Sequence, residues 1–360
     1  FGAGFRRACT QALRICIGNM LTIKKPFLLI IGDMTNPRNA KTAFGLRDWA
    51  RADCLGQLRF TEEAVDIGLP SMTVLQAAAE GVKTAVIGIA PHGGVLPTQW
   101  VPIMQDVLRA GLDIASGLHS RLNDIPEIAD LAAALGRTLH DVRHTTLSLP
   151  VGNGKPRAGL RLLTVGTDCA LGKKYTAMTI AKGMNAHGLK ADFRATGQTG
   201  ILIAGGGIAI DAVVGDFISG AAEMLSPEND PDHWDVIEGQ GAILHPAYAP
   251  VTLGLLYGSQ PDALVLCDDP LRERLNDFPH VRCPTIQEAM DAYLPLARAV
   301  NPAARFVGIS LNTSSMSESE AFATIARTAE ETGLACFDPI RTGVSAVVDV
   351  LAEFPGSAKH

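Results

Sequence analysis

The sequence predicts an α/β fold with two domains, each built on a parallel β-sheet. Short apolar runs of strand length alternate with helical stretches along both halves of the chain, the pattern of a sheet covered by helices on both faces. A polar segment rich in proline and glycine, residues 140–156, separates the halves. A glycine-rich turn ending in lysine opens the second half. We therefore expect one domain over residues 20–145 and a second over residues 157–355.

The composition argues against several classes of function. A net charge of −6 and a pI near 5.9 disfavour nucleic-acid binding, which needs a basic face. Every apolar run is shorter than the roughly 18 residues that span a membrane. The seven cysteines lack C-x-x-C spacing and the histidines form no H-x-x-H pair, so we expect neither disulfides nor a metal site. We expect a cytoplasmic protein that acts on a small molecule.

The first 32 residues carry basic side chains but no acidic one. A targeting peptide has this bias. A native start at Met20, directly before the first predicted strand, explains the same pattern. We therefore expect residues 1–19 to lie upstream of the native start.

The first half predicts a Rossmann-like domain. Its expected strands are residues 26–33, 83–90 and 112–115, and its expected helices end at Cys54 or span residues 73–79, 100–110 and 126–135. Because no G-x-G-x-x-G follows the first strand, we do not expect NAD. Lys41, His92 and His119 follow strand ends, where open α/β sheets bind ligands, although solvated loop residues would look the same.

The turn after the apolar run 162–165 predicts a phosphate-binding loop. A strand enters the turn and a helical pattern leaves it, so backbone N–H groups, a helix N-terminus and a lysine converge on an anion. The spacing departs from G-x-x-x-x-G-K-[ST], because the first glycine lies six residues before the second and a second lysine replaces the hydroxyl residue. The predicted ligand-binding residues of this P-loop NTPase-like domain are Gly166, Thr167, Asp168, Gly172, Lys173, Lys174 and Thr176.

Four further positions in the second half carry candidate chemistry. Glu238 ends an apolar strand and precedes a glycine turn, which places a carboxylate at the carboxyl end of the sheet. Asp211 could hold a cation, and His245 lies just beyond the glycine turn. Asn312 follows the strand 305–311, where its amide could bind an adenine edge or cap a helix.

These motifs together resemble a known family. Residues 166–173 and the Glu-Gly-x-Gly of residues 238–241 are similar to the P-loop domain of dethiobiotin synthetase. From about residue 27 the chain resembles a two-domain P-loop family long catalogued as a domain of unknown function. The shared motifs are at residues 41–45, 87–94, 116–119, 166–173, 211–217 and 238–246. A characterised branch, of DgcN type, is D-glutamate N-acetyltransferase, so the resemblance implies acetyl-CoA and a D-amino acid acceptor.

The first functional hypothesis is N-acetyl transfer from acetyl-CoA to the amine of a D-amino acid, expected to be D-glutamate. Glu238 or His245 would take the proton of the amine. Lys173, Lys174 or backbone N–H groups would stabilise the oxyanion. Lys41 or Arg194 would pair with the acidic substrate. The predicted catalytic set is Glu238, His245, Lys173 and Asp211.

Two alternatives remain open from the residues. An ATP- and Mg²⁺-dependent kinase or ligase would use Asp211 and Glu238 to hold Mg²⁺ and Lys173 to neutralise the phosphoryl group. A non-enzymatic protein would bind a nucleotide without turnover. Acyl transfer requires no metal, so the lysine at position 174 favours the acetyltransferase. We also expect a homo-oligomer.

Overall fold

The computed structural model describes residues 23–89 and 93–357, which divide into two compact units. The first unit holds the described residues up to Thr146 together with Gln198–Ala209, and the second holds Leu147–Gly197 together with the residues from Ile210 onward. Residues 198–209 are therefore an excursion of the chain out of the second unit. The predicted start at Met20 and the candidate His92 lie outside the described residues.

The helices and strands alternate in the order that the hydrophobic pattern indicates. The strands are β1 (Phe27–Gly32), β2 (Cys54–Arg59), β3 (Thr84–Ile87), β4 (Asp113–Ser116), β5 (Leu139–Asp141), β6 (Leu160–Gly166), β7 (Ala191–Arg194), β8 (Trp234–Ile237), β9 (Ala263–Asp268), β10 (Arg274–Leu275), β11 (Phe278–Arg282), β12 (Arg305–Leu311) and β13 (Ala335–Phe337). The helices are α1 (Lys41–Trp49), α2 (Val74–Ala79), α3 (Val101–Arg109), α4 (Pro126–Leu135), α5 (Lys173–Ala186), α6 (Gln198–Ala204), α7 (Ile218–Leu225), α8 (Ala249–Ser259), α9 (Ile286–Val300), α10 (Glu318–Thr332) and α11 (Ser345–Ala352).

The first unit is a five-stranded parallel sheet in the order β2-β1-β3-β4-β5. All six residues of β1 are buried, as expected for a central strand with both faces covered. Leu28 and Ile30 of β1 share a core with Trp100 and with Met104 of α3. The predicted Rossmann-like parallel sheet is confirmed.

Two details of the first-unit prediction are wrong. The helix expected to end at Cys54 ends at Trp49, and residues 54–59 form strand β2 instead. A Cβ on Gly56 of this strand would lie 2.8 Å from the Pro70 carbonyl oxygen, so packing requires a glycine that strand propensity disfavours. In addition, β5 extends into the polar segment 140–156 that was expected to be a linker.

The second unit is a six-stranded parallel sheet in the order β13-β12-β9-β6-β8-β7. Its core joins Leu162 and Val265 of the central strands to Ile180 of α5 and Val348 of α11. The chain passes from β6 outward to β7, returns to β8 and then crosses to β9 on the other side of β6. The point where the strand order reverses is therefore the carboxyl end of β6, where open α/β sheets bind ligands.

Several elements of the second half carry no clear signal in the sequence. Helix α6 replaces a predicted loop, and the short antiparallel hairpin β10–β11 follows β9. Helix α10 spans the predicted residues, because Ser317 and Glu320 form a capping box at its start. Within the described residues, no helix is both long enough and apolar enough to cross a membrane.

Candidate active site

The loop between β6 and α5, residues 167–172, has the backbone of an anion cradle. Gly172 has φ +104° and Ala170 has φ +54°, and α5 begins directly after Gly172. No side chain caps the amino end of α5, so the N–H groups of its first turn are left to a ligand or to water. These donors and the positive end of the helix dipole favour an anion at this position.

Lys173 lies inside this loop rather than on its surface. Its Nζ donates a hydrogen bond of 2.6 Å to the Asp168 carbonyl oxygen, and the residue is buried. Burial lowers the pKa of the Lys173 ammonium. A Cβ on Gly166 would lie 3.2 Å from the Lys173 Nζ, so the glycine at the end of β6 leaves room for the cation. Gly166 and Lys173, both predicted to bind the ligand, therefore lie next to each other.

The two predicted threonines bond to groups of the sheet. Thr167 Oγ1 donates to the Asp268 carboxylate at 2.6 Å, at the end of β9. Thr176 Oγ1 lies 2.8 Å from Ser310 Oγ of β12, and both hydroxyls are buried. The Cys267 thiol also donates to Thr176 Oγ1, at 3.6 Å. The Thr176 hydroxyl therefore bonds to side chains of β9 and β12.

Asp168 is the centre of a hydrogen-bond network that holds the loop. Its carboxylate, fully buried, accepts from the Cys169 N–H at 2.6 Å, the Asn276 N–H at 2.7 Å and the Arg272 guanidinium at 2.8 Å. Arg272 also donates to the Cys169 carbonyl oxygen at 2.7 Å. From the other side, the buried Tyr293 hydroxyl of α9 donates to the Gly166 carbonyl oxygen at 3.1 Å. Residues about 100 positions away in the chain therefore fix the loop.

Glu238 follows β8 and is buried at the carboxyl edge of the sheet. Its Oε2 accepts from the Thr196 N–H and from the Gly197 N–H, each at 3.0 Å. Burial raises the pKa of Glu238 to about 7, and the nearby Lys174 charge and the two backbone hydrogen bonds oppose the rise. The negative charge of Asp211, another predicted catalytic residue, adds slightly to the increase in the pKa of Glu238.

Lys174 occupies the position where a P-loop usually carries a hydroxyl residue. Burial lowers the pKa of its ammonium to about 8, and the Glu238 charge opposes that change. The ammonium also lies 4.4 Å from the centre of the Tyr175 ring. Lys174 and Glu238 therefore form a pair in which both groups titrate close to neutral pH, an arrangement suited to proton transfer.

His245 is buried between the rings of Tyr248 and Phe278. Its Nδ1 accepts from the Ala247 N–H at 3.1 Å, which places the proton of the neutral ring on Nε2. Nε2 lies 3.7 Å from Asp168 Oδ1, and burial lowers the pKa of the ring. In this tautomer His245 is a hydrogen-bond donor toward the P-loop rather than a base.

Asn312 lies at the carboxyl end of β12, beside the same edge. Its backbone N–H donates to the Asp268 carbonyl oxygen at 2.8 Å, and its side-chain oxygen accepts from the Ser314 N–H at 3.2 Å. The cap of α10 is Ser317 instead. Asn312 therefore shapes the loop that follows β12, and its predicted contact with a ligand stays a prediction.

Three other predicted residues make contacts of a different kind. The Arg194 guanidinium bonds to the Asp235 carboxylate at 2.8 Å and to Asp192 at 3.2 Å. His233 lies 3.5 Å from Asp235, so Asp192, His233 and Asp235 form a cluster. Arg194 is the cation that pairs with the two aspartates of this cluster. Lys41 is the exposed first residue of α1 in the first unit. His119 of the first unit donates its backbone N–H to the Gly94 carbonyl oxygen.

A groove opens beside the P-loop in the second unit. Its volume is about 450 Å³, within the range of small-molecule sites. Asp268 and Arg272, which bond to P-loop residues, form one wall, and Cys283 lies at the base of the hairpin β10–β11. Thr324 and Arg327 of α10 form the opposite wall. The groove extends the candidate site away from the sheet edge.

Family models match both halves of the chain. A P-loop domain described as a domain of unknown function, DUF1611_C, matches residues 150–348, and a Rossmann-like domain, DUF1611_N, matches residues 59–145. The first match alone covers more than half of the chain. The chain belongs to the DUF1611 family.

Relatives of known name and structure cover nearly all of this DUF1611 chain. A protein of Tritonibacter scottomollicae named D-glutamate N-acetyltransferase is 46% identical over 330 residues, which are 92% of this chain and 99% of that protein. A Pseudoalteromonas protein of the same name is 44% identical over 91% of this chain and 99% of its own length. A crystal structure of a DUF1611 family protein from Anabaena variabilis has a TM-score of 0.82 at 32% identity and covers 92% of this chain and 100% of its own.

The sequence predictions missed the residues that hold the DUF1611 site from a distance. Arg272, Asn276 and Tyr293 bond to the P-loop, yet each belongs to an unremarkable stretch of sequence more than 100 positions away. The sequence could indicate only that an aspartate buried in the predicted loop needs hydrogen-bond donors, and not which residues supply them. Thr196 and Gly197, the donors to Glu238, likewise follow β7 without a motif.

Proposed function

We propose that this chain is a D-glutamate N-acetyltransferase that uses acetyl-CoA as its acetyl donor. Two relatives that carry this name are 46% and 44% identical to the chain, which spans 99% of each. The geometric observation that carries the proposal is the buried carboxyl of Glu238, which two backbone N–H groups hold at the carboxyl edge of the sheet. Burial raises its pKa to about 7 and lowers that of Lys174 to about 8. Aminolysis of a thioester needs a base of this strength.

The P-loop fits the anionic part of acetyl-CoA. The uncapped first turn of α5 offers backbone N–H donors, and Lys173 adds a cation at the base of the loop. A pyrophosphate group suits such donors as well as a nucleotide triphosphate does. When bound, acetyl-CoA supplies an acetyl group activated as a thioester, so transfer to an amine requires no metal.

Glu238 is assigned to the acceptor amine. D-Glutamate binds as an ammonium and must lose a proton before its nitrogen can attack. A carboxylate with a pKa near 7 is largely ionised at slightly alkaline pH yet basic enough to accept that proton. The two backbone N–H groups of Thr196 and Gly197 hold Oε2 in place, which leaves Oε1 as the oxygen for the proton.

Lys174 is assigned to the negative charge that develops on the acetyl oxygen. The Gly239 N–H, a donor in the glycine turn after Glu238, already bonds to Thr164 Oγ1 at 2.9 Å and is not available. The Lys174 ammonium lies 4.4 Å from the centre of the Tyr175 ring and is influenced by the Glu238 charge, and a preorganised cation stabilises an oxyanion.

The test measures product formation by the purified full chain. With acetyl-CoA and D-glutamate we expect free CoA and N-acetyl-D-glutamate in equal amounts, unaffected by EDTA, and a much lower rate with L-glutamate. Glu238→Gln removes the base and should abolish turnover, whereas Glu353→Gln, an exposed glutamate at the end of α11, serves as the matched control. Phosphate release from Mg-ATP with a small carboxylate or amine, without CoA release, would replace this proposal with the kinase or ligase.

A further inference from the structure

We propose that Cys169 of the P-loop accepts the acetyl group from acetyl-CoA and passes it to the amine, so that transfer proceeds through an acetyl-cysteine. This inference rests on the proposed function and specifies its route. The Cys169 sulfur, a ring nitrogen of His245 and a carboxylate oxygen of Asp168 lie within 4.8 Å of one another. A thiol beside a buried imidazole and a carboxylate is a candidate covalent nucleophile, and here the imidazole acts as a hydrogen-bond donor because its Nδ1 accepts from the Ala247 N–H.

His245 supplies an independent reason to expect a reacting group at this position. Its side chain is fully buried, and among the described residues no group forms a hydrogen bond with its Nε2. A buried donor without a hydrogen-bond partner is destabilising, so a bound group is expected to accept from it. The Nδ1 bond to the Ala247 N–H fixes the tautomer, and the flanking Tyr248 and Phe278 rings fix the orientation. Nε2–H is therefore aimed at the space between Asp168 and Cys169.

Cys169 differs from the other cysteines of the described chain. It is partly accessible, whereas Cys54, Cys267, Cys283 and Cys336 are buried. It lies three residues before Gly172, which precedes the amino end of α5, and a helix amino end favours the thiolate. Burial raises the pKa of its thiol, and the cations of Lys173 and Arg272 act to lower it. The thiol is thus protonated at rest and becomes a strong nucleophile once ionised.

The first half of the route is a thioester exchange. The Cys169 sulfur attacks the acetyl carbonyl and the carbon–sulfur bond to CoA breaks, while the thiol proton passes from Cys169 to the departing CoA sulfur. Free CoA and acetyl-cysteine are the products. The His245 Nε2–H donates to the attacking sulfur and stabilises its negative charge, because this tautomer cannot accept a proton there.

The second half uses the residues already assigned to the acceptor. Glu238 takes the proton of the D-glutamate ammonium, and the free amine attacks the acetyl carbonyl of acetyl-cysteine. The bond between the acetyl carbon and the Cys169 sulfur breaks, and the sulfur leaves as a thiolate that takes up the second proton of the attacking nitrogen. Glu238 then releases its proton to water. N-acetyl-D-glutamate is released, and the enzyme returns to its starting state with no oxidant or reductant consumed.

The decisive experiment omits the acceptor. The wild-type chain is mixed with acetyl-CoA alone, quenched in acid and weighed by intact-mass spectrometry. We expect the mass of one acetyl group, mapped to Cys169 and removed by hydroxylamine. Labelled CoA should also exchange into acetyl-CoA without any amine. Glu238→Gln should still form the acetyl-enzyme, because the base acts only in the second half.

Cysteine variants, and alkylation of the protein in the absence of acetyl-CoA, distinguish the possible outcomes. Cys169→Ala should lose acetyl-enzyme, exchange and turnover, the last by about 10²-fold or more, whereas Cys336→Ala, a buried cysteine of β13, should retain all three. Iodoacetamide should alkylate Cys169 in the free protein, and CoA should slow that reaction. A wild-type chain that makes N-acetyl-D-glutamate without acetyl-enzyme or exchange would overturn this inference alone, whereas absence of any product would overturn the proposed function.

Discussion

Two opposing effects act on the pKa of the Glu238 carboxyl group: burial raises it, and hydrogen bonds and a nearby positive charge lower it. It is buried, and its Oε2 is bonded to two backbone N–H groups. Burial nevertheless outweighs these bonds and the Lys174 charge, and raises the pKa to about 7. Because the ionised form is costly in this environment, it has a high affinity for a proton, which is the property a general base needs.

At the scale of this residue, the first prediction concerns the pH dependence of turnover. The base must be ionised and the Lys174 ammonium must keep its proton, so kcat should rise as pH increases through about 7 and fall above about 8. Glu238→Gln should lower kcat by about 10²–10⁴-fold and leave the affinity for acetyl-CoA nearly unchanged. Steady-state kinetics between about pH 5.5 and 9 would check both. A kcat of the wild type that does not vary across this range would contradict the assignment.

At the scale of elements, helix α9 supports the P-loop through one hydroxyl. The Tyr293 hydroxyl accepts from the Ile243 N–H at 3.0 Å and donates to the Gly166 carbonyl oxygen at 3.1 Å. Tyr293→Phe keeps the packing but leaves two backbone groups without this partner, so we expect a loss of about 1–3 kcal/mol of unfolding free energy. Urea unfolding would measure it. Tyr257→Phe, on the partly exposed face of α8, should change stability little.

The segment that leads into hairpin β10–β11 acts on the P-loop through an ion pair. Arg272 is the cationic partner of Asp168, whose carboxylate is fully buried. Arg272→Met should destabilise the protein by about 3 kcal/mol, because it leaves a buried charge without its counter-ion. Arg282→Met is the matched control, since its pair with Glu288 is exposed and such pairs contribute at most about 1 kcal/mol. Equal losses in the two variants, measured by urea unfolding, would contradict this account.

At the scale of the whole molecule, two groups with raised pKa values make stability depend on pH. The folded pKa of Glu238 is raised to about 7 and that of His233 to about 9, so the folded state binds more protons. The stability that these protons provide is present at low pH and is lost as pH rises through about 7 and then about 9. Asp235 and Asp338 have lowered pKa values, so their stabilisation is lost in strong acid.

Glu238 and His233 should therefore lower the thermal midpoint between about pH 5 and 9, and this fall should exceed the opposing contributions of His245 and Lys174, whose pKa values are lowered. Glu238→Gln should flatten the fall between about pH 5 and 7, where Glu238 accounts for up to about 3 kcal/mol. His233→Asn should flatten the fall between about pH 7 and 9. Differential scanning calorimetry across this range would test the prediction, and a midpoint that rises steadily from pH 5 to pH 8 would refute it.

How far the sequence predicts this molecule depends on how local each feature is. Strand β6, the glycine turn and helix α5 are consecutive, so their pattern suffices to predict them together with Lys173. Glu238 was found because strand and glycine turn flank it. Arg272 and Tyr293 could not be found, because their function depends on contacts across more than 100 residues. Strand β2 was missed since tertiary packing at Gly56 overrides local propensity.

The excursion at residues 198–209 bears on how this protein can be cut and recombined. The chain leaves the second unit after Gly197 and returns to it at Ile210, so the second unit is two separate stretches of the gene. A fragment that starts at Leu147 would carry α6 without α1, its packing partner in the first unit. A chimera that exchanges the first unit between relatives must therefore move two DNA segments, and a single crossover would produce a mismatched pair of helices.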